Sequence, residues 1–201
     1  MIRLLLAEDE HLIRTALVRL LDLEDDLEVV VEAASGEEAL ERARTVEIDV
    51  AVLDLQLGGI DGIATAERLL ALRPGLAVVV VTSHGRPGHL KRALQSGVRG
   101  FLPKTTSADT LAAVVRSVHA GGRHVDPSLA AEAIAAGDSP LTAREADVLE
   151  LAADGAPVEE IARRAHLSPG TARNYLSSAV TKLGAANRHD AAATARRMGW
   201  I

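Results

Sequence analysis

Through the first 120 positions, short apolar runs alternate with segments whose apolar residues recur at helical spacing. Residues 2–7 read as a strand that ends in Glu8-Asp9-Glu10, and a helix is expected over about 11–22 with Leu12, Ala16, Leu17, Leu20 and Leu21 on one side. A second strand covers 27–33. Ser35 and Glu38 then have the spacing of a capping box that opens a helix to about Arg44. Val50, Val52 and Leu53 belong to a third, continuously apolar strand that ends on Asp54, and glycines follow at 58, 59 and 62. A helix over 61–72 stops at Arg73-Pro74-Gly75. Residues 76–81 form a fourth strand that runs into Thr82, and a helix is expected near 87–96. A short strand at 99–102 leads to Pro103-Lys104, and a helix over about 107–120 follows. Five strand–helix pairs in succession predict an α/β domain: a parallel sheet with helices on both faces, most simply doubly wound in the order 2-1-3-4-5.

The pattern then changes. Gly121-Gly122 and the Gly137–Pro140 stretch are breaks, with room for a short helix at 128–136 between them. From residue 141 the periodicity is wholly helical. Thr142 and Glu145 form a capping box for a helix to about Ala153, and Pro157 is placed to open a second helix running to about Ala165. Ser168 can cap a third helix, and Asn187 begins a fourth that ends near Arg197. Short helices with a tight turn between the second and third predict a helix-turn-helix. The expected boundaries are therefore 1–120, a linker at 121–140, and 141–201.

The third of these helices is two-sided. Ala172, Tyr175, Leu176, Ala179, Val180 and Leu183 make a buried stripe, and the other face carries Arg173, Asn174, Ser177, Ser178 and Thr181. That polar face is short-chained and free of acids, which suits entry into a negatively charged major groove. Arg173 can pair with guanine and Asn174 with adenine, Ser177 is a further base-reading candidate, Thr171 and the helix N-terminus can meet phosphates, and Lys182 is a further candidate DNA contact. Double-stranded DNA is the expected partner.

The strand ends carry the chemistry of the first domain. Glu8 and Asp9 follow the first strand, Asp54 the third, Thr82 the fourth and Lys104 the fifth. A lone aspartate in such a place is most simply a helix N-cap. Three carboxylates on one rim repel one another, however, and oxygen ligands without cysteine suit a hard cation such as Mg²⁺. A hydroxyl and a fixed ammonium beside them could hold the spread charge of a transferred phosphoryl group, with Asp54 as nucleophile.

Composition narrows the field. The chain has 201 residues, with one Trp, one Tyr and one Phe, so its cores must be aliphatic. The absence of cysteine excludes disulfides and thiol chemistry and fits a reducing compartment, so a cytoplasmic location is expected. The opening apolar run is too short for a signal peptide, and no segment approaches the ~18 apolar residues of a membrane span. The net charge of −6 is uneven. Residues 1–140 hold 14 basic against 21 acidic side chains, and residues 141–201 hold 8 against 7. The acidic front and basic tail fit a cation site in one domain and DNA in the other.

On Glu8, Asp9, Asp54, Thr82 and Lys104, each at the end of the appropriate strand, residues 1–120 resemble a response-regulator receiver domain. Leu141-Thr142, Arg144-Glu145, Val148-Leu149, Gly155, Glu160-Ile161-Ala162, Leu167-Ser168, Thr171, Lys182-Leu183-Gly184 and Arg188 resemble the LuxR-type output domain of the NarL/FixJ group. The resemblance implies that Asp54 is the phosphoacceptor and that Glu8 and Asp9 form the metal pair, completed by the backbone carbonyl of Gln56. It further implies that Thr82 and Lys104 hold the phosphoryl group and that Phe101 is a rotamer switch turning inward. A sensor histidine kinase is the implied phosphodonor, and a homodimer on DNA the active form. The segments 23–26, 28–30 and 86–88 are similar to the desaturase-regulating branch of this family.

The departures are Gly58 where the family has proline, Pro157-Val158 in place of an Asn-Lys pair, and Ala172 and Tyr175 where Val and His are usual. Two rivals are set beside this expectation. An aspartate-nucleophile phosphohydrolase would want a second acid at position 56, where Gln56 stands. A phosphorylation-independent DNA-binding regulator would leave the acidic rim without a task. For the last helix, dimer contact and simple core packing both stay open.

Overall fold

The computed structural model describes residues 1–83, 87–137 and 139–201. Arg86, in one of the segments of branch resemblance, and Asp138, in the second expected break, lie outside the described residues. The chain divides into two compact units, one holding the sheet with its helices and the other built on residues 131–201.

In the first unit the elements follow in strict alternation: β1 Ile2–Ala7, α1 His11–Leu21, β2 Leu27–Ala33, α2 Gly36–Arg42, β3 Val50–Asp54, α3 Gly62–Leu72, β4 Ala77–Thr82, α4 Pro87–Gln95, β5 Gly100–Pro103 and α5 Ala108–His119. The sheet is parallel throughout and has the expected 2-1-3-4-5 order, extended at the β5 edge by a sixth strand, β6 His124–Val125. Every residue of β3 and β4 is buried, as continuous valine-rich runs demand when helices cover both faces. On one face Leu4, Leu6, Val50, Val52, Val79 and Val81 pack with Leu111, Val114 and Val115 of α5.

The sixth strand was not expected, and its origin is local. Gly121 takes φ +91°, while its N–H donates to Val118 O (3.0 Å) and that of Gly122 to Ser117 O (2.9 Å). This paired hydrogen bonding closes α5 and turns the chain back to the sheet edge, where His124 lies in register with Gly100. Two residues with no alternating pattern leave no trace in hydropathy.

Two further details differ from expectation. The apolar side of α1 is split: Leu21 is buried and Leu17 and Val18 lie against the core, whereas Leu12 and Leu20 are 81% and 42% exposed and Ala16 is also outside. The capping at α2 is shared across one more residue than a capping box. Ser35 Oγ accepts from the Glu38 N–H, but the Glu38 carboxylate accepts from the N–H of Ala34 at 2.7 Å.

A linker helix, α6 Pro127–Ala136, precedes four short helices: α7 Ala143–Ala152, α8 Val158–Arg164, α9 Pro169–Lys182 and α10 Arg188–Arg197. The Thr142–Glu145 capping box is complete, with the Thr142 N–H donating to Glu145 Oε2 at 2.6 Å. Ser168 caps α9 and Asn187 caps α10. Pro157, expected as the first helical residue, is instead the N-cap, with extended backbone (φ −66°, ψ 153°). Proline's fixed φ suits either place, so spacing alone could not choose. Val148, Leu149, Ile161 and Leu176 interlock with Ala152, Ala172, Ala179, Ala191, Ala192 and Ala195, so the helices pack closely across small side chains. For α10 this answers part of the open question: its buried alanines are spent on the core of its own unit. Among the described residues no helix is long and apolar enough to cross a membrane.

Candidate functional site

The register of the sheet builds the first site. β1, β3, β4 and β5 are successive neighbours, with Asp54 beside Val81 and Thr82 beside Pro103, so the carboxyl ends of these strands form one rim. Because β3 is buried on both faces, its terminal Asp54 is held at 2% exposure, and Glu8 at the end of β1 is fully buried. Asp9 is exposed. One oxygen from each of Glu8, Asp9 and Asp54 lies within 4.8 Å of the others.

Lys104 closes this cluster. Its backbone N–H donates to Thr82 O at 2.8 Å, which fixes the residue beside β4. Its ammonium donates to Asp54 Oδ2 at 2.8 Å and to Glu8 Oε1 at 2.9 Å, with Glu8 Oε2 at 2.7 Å. Burial opposes the Lys104 charge, but the hydrogen bonds to Asp54 and Glu8 more than offset it and raise its pKa above the ordinary lysine value. Burial pushes the Glu8 carboxyl up, helped by the Asp54 charge, and the Lys104 hydrogen bond only partly restores it. Three carboxylates against one ammonium leave the rim short of positive charge, with an exposed carboxylate, Asp9, at its mouth. Hard oxygen donors in that balance fit a small divalent cation such as Mg²⁺.

Two supports escaped the sequence reading. Arg14 of α1 donates through Nη1 to the Glu8 carbonyl at 2.6 Å, bracing the acidic turn. Gly62 lies where any Cβ would stand 2.0 Å from the Asp54 carbonyl oxygen, so only glycine lets α3 begin so close behind the strand. A basic residue one helical turn past an acidic cluster was the available signal for the first. For the second, nothing but the glycine itself pointed there. Of the other expected residues, Thr82 is fully buried at the end of β4, Phe101 is fully buried within β5 beside Val80, and Gln56 is exposed in the loop after Asp54.

The second site is the outer face of α9. Arg173, Asn174, Ser177 and Thr181 are exposed along it, and the stripe from Ala172 to Leu183 faces the core. Thr171, at the helix start, shares a hydrogen bond with Ser168 at 2.8 Å. Arg173 has Glu159 of α8 at 3.5 Å, an exposed pair of little strength.

Two residues expected on this face are engaged elsewhere. Ser178 donates to Glu145 Oε1 at 2.6 Å, and the Lys182 ammonium lies 2.7 Å from Glu145 Oε2. Glu145 is 4% exposed and ties the start of α7 to the middle and end of α9. Burial alone would raise its pKa, but Lys182, Ser178 and the Thr142 backbone donate to its carboxylate and hold it at about 2. A capping residue that also anchors a second helix has no signature beyond the capping box.

The comparisons agree with this division. The family described as response regulator receiver domain matches residues 4–116, and that described as bacterial regulatory proteins, luxR family, matches residues 139–195. The chain belongs to the response regulators that join a receiver to a LuxR-type domain, and it is a DNA-binding transcriptional regulator activated by phosphorylation. Over its whole length it is 39% identical to the uncharacterized transcriptional regulatory protein YvfU and 38% identical to the transcriptional regulatory protein DesR, both of Bacillus subtilis (strain 168), with 100% of each chain covered. RcsB of Salmonella enterica serovar Typhimurium, solved bound to promoter rprA in the presence of the phosphomimetic BeF3⁻, is similar with a TM-score of 0.72 at 24% identity over 96% of each chain. At that identity the likeness concerns the fold.

Proposed function

We propose that Asp54 is the phosphoacceptor of this regulator, with residues 1–120 as receiver, 121–140 as a linker whose first residues lend the sheet its edge strand β6, and 141–201 as DNA-binding domain. The observation that carries this is the Lys104 ammonium seated on both Asp54 and Glu8 amid three clustered carboxylates. A sensor histidine kinase is the donor. The phosphorus–nitrogen bond on its histidine breaks as a phosphorus–oxygen bond to Asp54 forms. Lys104 then shifts its ammonium from the Asp54 carboxylate to a phosphoryl oxygen, a contact stronger in the transferred state than in the resting one.

Asp9, Asp54, the backbone carbonyl of Gln56 and the buried Glu8 are the groups that would hold Mg²⁺, which when bound supplies charge neutralisation for the phosphoryl oxygens. Arg14 keeps the Glu8–Asp9 turn in place, and burial of Asp54 keeps water from competing. Thr82 offers its hydroxyl to the phosphoryl group. Phe101 was expected to turn inward on phosphorylation. It is already fully buried here, and we assign that position to the inward state of the switch.

On the DNA side, Arg173, Asn174 and Ser177 read bases and Thr171 with the start of α9 meets phosphate. Lys182 was expected to contact DNA. With its ammonium on Glu145, we assign it to holding α9 in place. Phosphorylation raises operator affinity by favouring a homodimer that sets two output domains on half-sites about one helical turn apart. The regulator works in the cytoplasm. Incubation with acetyl phosphate and Mg²⁺ tests the reading: the parent gains one phosphoryl group and Asp54→Asn gains none.

A further inference from the structure

The loop between Asp54 and α3 contains two adjacent glycines, Gly58 and Gly59, and must nevertheless present the Gln56 carbonyl in a fixed place. Its first anchor is the sheet: the Leu55 N–H donates to Val81 O at 2.9 Å and Leu55 O accepts from the Gly62 N–H at 2.9 Å. A second anchor comes from α2. The Glu37 carboxylate accepts from the Ile60 N–H at 3.2 Å. A Cβ on Gly59, whose φ is +84°, would stand 2.6 and 2.7 Å from the two Glu37 oxygens, so the carboxylate is pressed against the loop backbone as well as bonded to it. Beside it, a Cβ on Gly36 would stand 2.6 Å from the Ile60 side chain and 2.2 Å from Thr65 Oγ1. Ile60 is thus seated on the first turn of α2 by its side chain and held there by its N–H. Glycine leaves many conformations open, and a backbone hydrogen bond from outside the loop removes them.

We propose that Glu37 is a positioning residue for the phosphoacceptor loop: its carboxylate pins Ile60 and thereby holds the Gln56 carbonyl in the cation site. The inference rests on the assignment of Asp54, Asp9 and Gln56 made above. Glu37 touches neither cation nor phosphoryl group. It acts through the backbone, so what matters is a hydrogen-bond acceptor at that place and not a negative charge. A glutamine keeps the acceptor and an alanine does not. A stiffer loop makes the latch unnecessary, and position 58 has space for it, since a Cβ there meets nothing within 4 Å.

The test is Mg²⁺ affinity of the full chain at neutral pH by isothermal titration calorimetry, with hydrogen exchange of the 56–60 amides as a second readout. Glu37→Ala weakens Mg²⁺ binding about fivefold, the scale of one hydrogen bond. It also speeds exchange in that loop, with the sheet amides unchanged. Glu37→Gln stays within about twofold of the parent, and Glu37→Ala combined with Gly58→Pro returns to about the parent value. Equal Mg²⁺ affinity and equal exchange in parent and Glu37→Ala overturn the inference. A loss in Glu37→Gln as large as in Glu37→Ala overturns it too, because the effect is then one of charge. Failure of Gly58→Pro to restore binding does the same. If the parent binds Mg²⁺ no better than Asp54→Asn combined with Asp9→Asn, the assignment of the cation site falls, and the inference with it.

Discussion

At the scale of single residues the acidic rim is held by one amine. Removing Lys104 leaves Glu8 and Asp54 buried without their counter-charge, and breaking a buried pair from one side costs about 3–5 kcal/mol. Part of that loss is relieved here because a carboxyl can take up a proton. Lys104→Ala is therefore expected to lower the melting temperature of the first unit, to recover part of the loss on addition of Mg²⁺, and to accept phosphoryl groups poorly. A melting temperature equal to the parent's would show that the bridge carries no weight.

Glu145 gives a prediction with a sign. Its carboxyl is held at about 2, below the ordinary 4.5, so its contribution to stability is present above pH 4.5 and is lost as pH falls through about 2. Glu145→Gln removes about 2 kcal/mol at neutral pH, allowing for screening through the more exposed Lys182, and flattens the acid limb of the stability curve. Denaturant titrations at several pH values measure both. The positions of Glu8, Asp54 and Thr82 at strand ends were legible because each follows an apolar run and is polar where burial makes polarity costly. The contacts among them were not: Lys104 reaches Glu8 across 96 positions and Glu37 reaches Ile60 across 23, and no periodicity records a single side-chain bond.

At the scale of elements the pattern fared unevenly for physical reasons. The strands at 50–54 and 77–82 stand where their apolar runs put them, because a parallel strand buried on both faces tolerates little else, and the edge strand at 27–33 shows instead as apolar residues broken by the exposed Glu28 and Glu32. β6 was invisible, being held by the hydrogen bonds of a helix end and a sheet edge. The two-sided reading of α1 failed in part since Leu12 and Leu20 look out, and helical spacing does not say which of two apolar stripes meets the sheet. For α9 the stripe was right, but its polar face was divided between solvent and Glu145.

That division predicts how two substitutions separate. Arg173→Ala weakens operator binding and relaxes base preference by about 1–3 kcal/mol at one position. Lys182→Met lowers the stability of the second unit while leaving the slope of log affinity against log salt unchanged, since an ammonium already paired to Glu145 releases no counterion from DNA. A slope reduced by about one unit in Lys182→Met would place that lysine on the phosphate backbone.

At the scale of the whole molecule, a receiver that takes up a phosphoryl group and a LuxR-type unit that reads DNA are joined through a linker helix at 127–136. Phosphorylation is expected to shift the protein toward dimers on gel filtration and to raise operator affinity, with Asp54→Ala fixed in the unphosphorylated behaviour. All of this depends on where the phosphoryl group goes. The most direct measurement is intact-mass and peptide mapping of the full chain after incubation with acetyl phosphate and Mg²⁺. The account predicts a single added phosphoryl group, confined to the peptide carrying Asp54 and missing from Asp54→Asn. A phosphoryl group on another residue, or equal labelling of Asp54→Asn, would contradict it.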